Sequence, residues 1–291
     1  MFKNLSVRAL GVSGGGSEVI ELALSFGFRS IDLNLVDFAE QVENHDLSHA
    51  RRLLDSAKLK LGCFRLPVDW YDAAAFERDM KKLPKLAELA AELECYRATT
   101  TIQPASDERP FHENFEFHRA RLSQIGAALS AAGIKLGVDF CTSPALREGK
   151  DYEFVHDFET LRTLLATVQG NNVGVAVDLW SLHVAGDGLA ELARLTADQI
   201  VTVTLSDAKP DETSEESRLL PGETGVIDSA AALVQLAELG YQGPITPRAH
   251  PERFADVSRD ATVKLAGEAL ENVWKTAGLT PRGTLPATAA K

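Results

Sequence analysis

The sequence is poor in cysteine and has no long apolar run. Its three cysteines, Cys63, Cys95 and Cys141, are an odd number with no close metal-type spacing, and each lies in or beside a predicted strand. We therefore expect buried, reduced thiols. The chain contains no run of 18 apolar residues, and no apolar signal core follows Met1. These absences predict a cytoplasmic protein without a membrane segment.

Basic residues are also in short supply. Lysine and arginine number 30 against 42 aspartates and glutamates, which gives a formal net charge of −12. Nucleic acid and anionic membranes bind clustered Lys and Arg, so neither is expected as a partner. A composition of 45% hydrophobic and 25% charged residues is typical of a globular protein with a large core. A small molecule is the expected partner, and a homo-oligomer is left open.

Strand and helix patterns alternate along the whole chain. Period-two alternation marks each strand, and apolar residues three and four apart mark each helix. Eight such βα units predict an α/β fold with a single (β/α)₈ TIM barrel over residues 1–278. The aperiodic residues 279–291 are predicted to be disordered. The predicted strands are 6–12, 29–35, 59–66, 96–102, 135–140, 173–179, 200–206 and 244–247. The first predicted helix begins at Ser17. The others cover 47–57, 73–93, 111–132, 158–168, 189–195, 228–239 and 258–277.

Two short motifs admit a second interpretation. The glycines Gly14–Gly16 lie between a strand and a helix, but their spacing together with Gly11 is not that of a dinucleotide-binding loop. A flexible loop before a helix cap at Ser17 is favoured over a Rossmann-type oxidoreductase. His45 and His49 are four residues apart, as helical metal ligands are. Their charged surroundings favour a solvated helix entry.

Side-chain alternation in the last four strands predicts a site. Large β-branched residues suit the helix-packed outer face, so the small and polar residues between them are assigned to the interior. The carboxyl ends of barrel strands carry the active site. The inward set at that end is Asp139, Asp178, Thr204 and Arg248. A structural ion-pair cluster is the alternative for the charged members of this set.

Further candidates follow other strands. His183 and His250 come after the sixth and eighth strands, where a histidine is suited to move protons near neutral pH. A surface loop position is the alternative for each. The predicted catalytic residues are thus Asp139, Asp178, Arg248 and His183. The predicted substrate-binding residues are Asn34, Arg65, Thr204, Asp207 and His250.

Several segments resemble one family of sugar isomerases and epimerases, the xylose isomerase-like TIM barrels. The resemblance covers nearly the whole chain and is strongest from Gly137 onward. The stretch 201–228 begins with an apolar strand, continues through an acidic loop and ends in an Asp suited to cap a helix. The segments that carry the resemblance are YEFVH (152–156), NVGVAVDLW (172–180), SDA (206–208), PGETGVID (221–228) and GYQGPITP (240–247).

The resemblance implies a metal site that this sequence has altered. Family members carry a Glu, an Asp, a His and a Glu at the ends of strands five to eight, and these bind one Mn, Mg, Co or Zn ion. The corresponding residues here are Asp139, Asp178, Thr204 and Arg248. An arginine cannot lose its proton in a protein and repels a divalent ion. We predict no metal and no other cofactor; a metal, if bound, would take Asp139 and Asp178.

The resemblance and the remaining groups together predict a function. We expect a sugar or sugar phosphate isomerase or epimerase that acts on a small polyhydroxylated substrate. Asp139 or Asp178 would move a proton next to a carbonyl, and Arg248 would stabilise the enolate oxygen. The alternative is a non-catalytic descendant that binds a sugar or serves as a scaffold.

Overall fold

Eight parallel strands form a closed barrel in the computed structural model, which describes residues 1–44 and 47–286 and omits the side chains of 49 and 50. Each strand lies beside its neighbours in sequence, and the eighth strand closes onto the first. The predicted TIM barrel is therefore confirmed. The strands are Phe2–Leu5, Ser30–Leu33, Lys60–Arg65, Arg97–Ile102, Lys135–Phe140, Val173–Asp178, Ile200–Leu205 and Pro244–Pro247.

Helices follow the strands, and polar caps start several of them. Asp72, Asp157, Asp228 and Ser258 each accept a hydrogen bond from a backbone N–H three residues later, which satisfies a donor that the first helical turn leaves open. The cap at Asp228 agrees with the sequence pattern. The helices are Gly16–Ser25, Leu35–Asn44, Leu47–Ala57, Ala73–Glu92, Phe111–Ser130, Phe158–Thr167, Leu179–Ala185, Ser229–Glu238 and Arg259–Thr276.

The predicted start of the barrel was wrong. The first strand is Phe2–Leu5, and residues 8–10 of the predicted strand form a 3₁₀ turn instead. That turn ends at Gly11, whose φ of 67° favours glycine and where a Cβ would lie 2.4 Å from Cβ of Pro251. The first helix begins at Gly16 rather than after a Ser17 cap. Glu18 accepts from the N–H of Gly15 at 2.9 Å there.

Two helices were absent from the prediction. Leu35–Asn44 follows the second strand after Asn34 alone, and Leu179–Ala185 follows the sixth strand directly; neither change is marked by a glycine or proline. The predicted helix over 189–195 is a 3₁₀ helix, Leu189–Arg194. This helix is thus shorter and more tightly wound than the sequence pattern suggests.

The chain divides into two compact units. The first consists of Met1–Ile31 and Val177–Lys291. Its helices Ser229–Glu238 and Arg259–Thr276 pack together, with Leu236 and Leu270 fully buried. Burial of this apolar area is the main stabilising contribution.

Three hydrogen-bonded polar side chains lie inside the first unit. Asn4 Nδ2 donates to Thr246 Oγ1 at 2.9 Å, and Ser30 Oγ donates to Asn4 Oδ1 at 2.8 Å. All three residues are buried, and each bond satisfies a polar group that would be costly to bury unpaired. The bonds join the first, second and eighth strands.

The second unit is Asp32–Ala176. Its helices Ala73–Glu92 and Phe111–Ser130 pack together, and Leu83, Leu122 and Leu129 are fully buried. The fifth strand, Lys135–Phe140, runs in register with the fourth along its whole length. This pairing places Asp139 opposite Thr101.

The three cysteines are free thiols, as expected. Cys95 is buried, and Cys63 and Cys141 are half-buried. Burial raises the pKa of Cys95 to about 12. Burial, and then the charge of Asp32, raises the pKa of Cys63, whose Sγ donates to Asp32 Oδ1 at 3.2 Å. Neither group is set up as a reactive thiolate.

Some predictions fall partly outside the described residues. His45 is not described, and His49 only by its backbone, so the interpretation of this pair stays open. Trp274 Nε1 donates to the carbonyl oxygen of Thr280 at 2.9 Å, and the amino group of Met1 donates to that of Gly283 at 3.3 Å. Disorder beyond residue 278 stays a prediction, and residues 287–291 are not described. None of the described helices is long and apolar enough to span a membrane.

Candidate functional site

Asp178 and Arg218 form a buried ion pair at the end of the sixth strand. Arg218 Nη1 donates to Asp178 Oδ2 at 2.6 Å, and the side chains are only 1% and 3% exposed. Asp178 also caps the following helix by accepting from the N–H of Trp180 at 3.0 Å. The Arg218 guanidinium lies 4.4 Å from the centre of the Trp180 ring. One short segment therefore supplies both the carboxylate and the aromatic face for this arginine.

A two-residue ribbon positions Arg218. Asp207–Ala208 pairs antiparallel with Arg218–Leu219, and the acidic loop lies between them. Glu215, in that loop, accepts from Nε and Nη2 of Arg218 at 3.2 Å each, a two-pronged contact that suits the planar guanidinium. Ser206 Oγ accepts from Nη1 at 3.3 Å. The ribbon thus holds the arginine in a single orientation.

Arg248 is the more exposed cation of this cluster. It follows the eighth strand, and its side chain is 36% exposed. Its Nη1 donates to Asp178 Oδ2 at 3.3 Å, and its Nη2 donates to Glu215 Oε2 at 3.5 Å. These contacts are longer than those of Arg218, and one face of the side chain meets solvent. The ion pair between Arg248 and Asp178 that the inward assignment requires is present.

The charges in the cluster balance. Burial alone would raise the pKa of Asp178, but the charges of Arg218 and Arg248 and the hydrogen bonds from Arg218 and Trp180 lower it. The carboxylate is therefore ionised and strongly stabilised as an anion. Burial opposes the charge of Arg218, but Asp178 and Glu215 raise its pKa. We name this set, Asp178, Glu215, Arg218 and Arg248, the charge cluster.

Asp207 lies beside the charge cluster and holds a loop. Its Oδ1 accepts from the N–H groups of Ala208 and Ile227, and its Oδ2 accepts from those of Thr224 and Gly225, all at 2.7 to 3.0 Å. Burial would raise its pKa, but these four backbone bonds lower it. Both oxygens are engaged by the protein's own backbone. This arrangement fixes the segment that carries the Pro-Gly-Glu turn.

The other predicted residues of the last four strands have different surroundings. Asp139 is half-buried in the fifth strand, and its Oδ1 accepts from the N–H of Phe140 at 2.8 Å. Thr204 is half-buried and in register with Thr246. His250 is half-buried, and its backbone N–H donates to the carbonyl oxygen of Arg218 at 3.1 Å. His183 is exposed in Leu179–Ala185.

Asn34 and Arg65 are both exposed. Asn34 Nδ2 donates to Asp37 Oδ2 at 2.6 Å, and its carbonyl oxygen accepts from Phe38 at the start of a helix. Arg65 is the last residue of the third strand and is in register with Thr99. Their predicted role in substrate binding stays a prediction.

Sequence reasoning missed Arg218 and Glu215 as members of the site. Both lie in the loop after the seventh strand, outside the strand alternation that selected the inward residues. A signal was present, since the three-residue spacing from Glu215 to Arg218 suits an ion pair within one turn. The partner Asp178 is 40 residues away in sequence, so only the fold reveals that pairing.

The implied metal does not fit the residues present. Asp178 Oδ2 already accepts from two guanidinium groups. Thr204 and Arg248 replace an imidazole and a carboxylate ligand, and the guanidinium repels a cation by several kcal/mol, or roughly 4 kcal/mol per unit charge at about 4 Å. Among the side chains that the structure describes, no group of three or more from His, Cys, Asp or Glu is arranged to hold a metal.

Known proteins share this fold and part of this sequence. Inosose isomerase of Bacillus licheniformis is 23% identical over 150 residues, and the match spans about half of each chain, 50% here and 51% there. A xylose isomerase domain protein from Alicyclobacillus acidocaldarius subsp. acidocaldarius superposes with a TM-score of 0.86 at 26% identity, over 95% of this chain and 99% of that one.

A further solved structure, the IOLI protein with a bound zinc atom, superposes with a TM-score of 0.78 at 16% identity, over 96% of this chain and 98% of that one. At this identity the likeness shows the fold alone. The family model described as xylose isomerase-like TIM barrel matches residues 20–273. The chain therefore belongs to the xylose isomerase-like TIM barrel family.

Proposed function

We propose that this protein is a sugar isomerase or epimerase that moves a proton next to a carbonyl group of a small polyhydroxylated substrate. Membership of the family and the partial match to inosose isomerase support this reaction class. The observation that carries the proposal is that Arg248 is both held in place and accessible to solvent. This guanidinium is anchored by Asp178 and Glu215 but still 36% exposed at the end of the eighth strand.

Arg248 has the role of an oxyanion stabiliser in this proposal. When a proton leaves the carbon next to a carbonyl, negative charge develops on the carbonyl oxygen. A fixed cation directed at that oxygen stabilises the transition state more than the substrate, which lowers the barrier. Asp178 and Glu215 orient the guanidinium, and Arg218 holds both carboxylates in place.

Asp178 is a poor proton acceptor, because two arginines lower its pKa. A general base works best when its pKa lies near the working pH. We therefore assign Asp178 to positioning. The family position of the first proton-transferring carboxylate falls to Asp139, which we propose as the base. No step is assigned to a metal ion, since the donor set does not fit one.

An exchange experiment tests this function. The purified chain is incubated in D₂O with inososes and ketohexoses, and deuterium at the carbon next to the carbonyl is followed by NMR. We expect exchange with at least one of them without added metal, and a 100- to 1000-fold loss in Arg248→Met. Arg253→Met, which alters a partly exposed pair with Glu223, is the matched control and should keep its rate.

A second candidate is a sugar-binding protein without catalysis. It is favoured by the same charge balance, because a cluster of two carboxylates and two guanidiniums is also a stable structural element. Saturable binding of a sugar with no deuterium exchange would support this candidate and contradict the first. Exchange that appears only after addition of Mn or Zn would contradict the metal-free assignment.

A further inference from the structure

A cleft lies within the unit Asp32–Ala176. It has a volume of about 550 Å³ and is formed by the loops after the third and fourth strands and one face of the helix Phe111–Ser130. The residues that give it chemical character are Tyr71, Arg109, Asn114, Phe117, His118 and Arg121. None of them belongs to the charge cluster.

Two arginines in this cleft share one aromatic ring. The Arg109 guanidinium lies 4.1 Å from the centre of the Phe117 ring, and that of Arg121 lies 5.4 Å from the same centre. Arg121 also stacks on Phe76 at 3.7 Å. Stacking covers the flat face of a guanidinium and leaves its N–H groups at the edge for other partners.

Arg121 lacks a carboxylate partner. Arg109 pairs with Glu108 at 3.0 Å, but Arg121 makes no hydrogen bond or ion pair with the residues that the structure describes. Burial and the neighbouring Arg109 lower the pKa of Arg121, and the more distant Glu77 opposes this. Two like charges held together in a half-buried place favour an anion between them.

The acidic residues of the lining are already engaged. Asp72 caps the helix Ala73–Glu92 by accepting from the N–H of Ala75 at 2.6 Å. Asp107 pairs with Lys150, and Glu108 pairs with Arg109. Asp107 and Glu108 are thus paired with cations and Asp72 is held at a helix N-terminus, which leaves Arg121 as the arginine of the lining without a carboxylate paired to it.

His118 adds a buried acceptor without a partner. The side chain is 1% exposed, and its Nδ1 lies 2.7 Å from the carbonyl oxygen of Asn114, which makes Nδ1 the donor. Nε2 is then an acceptor, and it has no hydrogen-bond partner among the described residues. Burial lowers the pKa of this histidine to about 4, so the ring is neutral near pH 7. An unfilled buried acceptor favours a hydroxyl donor.

We propose that this cleft binds a small hydroxylated oxyanion, a sugar phosphate or a sugar acid. The phosphate or carboxylate lies on the N–H groups of Arg121 and Arg109, which suit planar two-pronged contacts with such oxygens. A hydroxyl group of the same molecule donates to Nε2 of His118. The two sources share this chemistry and differ in the shape and charge of the anion.

Calorimetric titration of the full chain tests the proposal with four probes: glucose 6-phosphate, gluconate, inorganic phosphate and glucose. We expect saturable binding of glucose 6-phosphate or gluconate, weaker binding of inorganic phosphate and none of glucose. The stronger of the first two identifies the anion. Arg121→Gln should weaken binding at least 10-fold. Arg119→Gln, on the same helix and paired with Glu116, is the matched control and should change it less than 2-fold.

A second variant examines the hydroxyl contact. His118→Phe preserves an aromatic ring and removes the acceptor, so it should weaken binding of the hydroxylated anion about 10-fold and leave inorganic phosphate unchanged. Absence of saturable binding by every anion overturns the proposal. Equal weakening by Arg119→Gln and Arg121→Gln also overturns it.

This inference and the proposed function fail separately. Arg248→Met should slow deuterium exchange 100- to 1000-fold and leave anion binding at this cleft within 2-fold. Binding that is lost in Arg248→Met and kept in Arg121→Gln assigns the anion to the charge cluster and overturns the present inference. Anion binding that follows Arg121 in a chain without exchange activity supports the cleft and contradicts the proposed reaction.

Discussion

Arg218 and Asp178 are joined by a 2.6 Å hydrogen bond between two side chains that are almost wholly buried. Ion pairs of this kind have little net benefit compared with an apolar pair, because both charges lose their water. Removal of one partner alone is costly, since the other charge is left buried. The charge cluster is therefore needed for the stability of the fold and is also a candidate catalytic site.

The first prediction concerns this pair. Arg218→Met should lower the free energy of unfolding by about 3–5 kcal/mol, because it leaves the buried Asp178 carboxylate with the longer contact to Arg248 in place of two ion pairs. Arg253→Met, at a partly exposed pair, should cost less than about 1 kcal/mol. Urea unfolding followed by circular dichroism measures both. Equal midpoints for the two variants would show that the buried pair adds no stability.

Most of the barrel was predictable from the sequence, because side chains alternate in type along its strands and do not alternate in the turns. The fifth and eighth strands were predicted at Lys135–Phe140 and Pro244–Pro247, their bounds in the structure. The first strand was misplaced by several residues. Phe2–Leu5 is short and half polar, and its pairing with the second and eighth strands defines it more than its own sequence does.

The site was predictable only in part. Strand alternation assigns each side chain to the inner or the outer face of the barrel. It placed Asp178 and Arg248 on the inner face, and the two side chains are in contact in the structure. Arg218 lies in an irregular loop, where no periodicity assigns a direction to a side chain. Its buried position depends on the ribbon with Asp207–Ala208. The Asp207 carboxylate in that ribbon accepts from the backbone N–H groups of Thr224 and Gly225, contacts that no sequence pattern contains.

The second prediction separates two roles of Asp207. Asp207→Asn replaces an anion that accepts from four backbone N–H groups with an amide that has only one acceptor oxygen. We expect a loss of about 2–3 kcal/mol in the free energy of unfolding. Faster proteolysis within residues 222–228 should accompany it. A raised KM with unchanged stability would instead support the substrate-binding role predicted from the sequence.

The third prediction concerns pH. Burial lowers the pKa of His118 from 6.5 to about 4. Between these values the unfolded chain binds a proton that the folded chain does not, so stability falls as the pH falls from 6.5 towards 4. The loss is about 3 kcal/mol when complete, since one pKa unit corresponds to roughly 1.4 kcal/mol. Above pH 6.5 this histidine does not change the free energy of unfolding with pH.

His118→Phe removes that dependence. Its unfolding free energy should change less than that of the unaltered chain between pH 6.5 and pH 4.5, as measured by urea titrations at each pH. His112→Phe, at an exposed position of the same helix, is the control and should keep the slope of the unaltered chain. Parallel pH profiles for all three proteins would mean that His118 is protonated freely in the folded state.

The last prediction concerns the metal. The unaltered chain should hold no stoichiometric Mn, Mg, Co or Zn, because Asp178 Oδ2 is occupied by two guanidiniums and Thr204 and Arg248 replace two ligands of the family. Divalent ions require several oxygen or imidazole ligands and a pocket with net negative charge. Thr204→His, Arg248→Glu and Asp139→Glu together restore the family set, and this triple variant should bind Mn at least 100-fold more tightly than the unaltered chain in calorimetry. Thr204→His alone keeps the repelling arginine and should gain little. Tight Mn binding by the unaltered chain, lost in Asp178→Asn, would reverse the assignment and give Asp178 the role of a ligand.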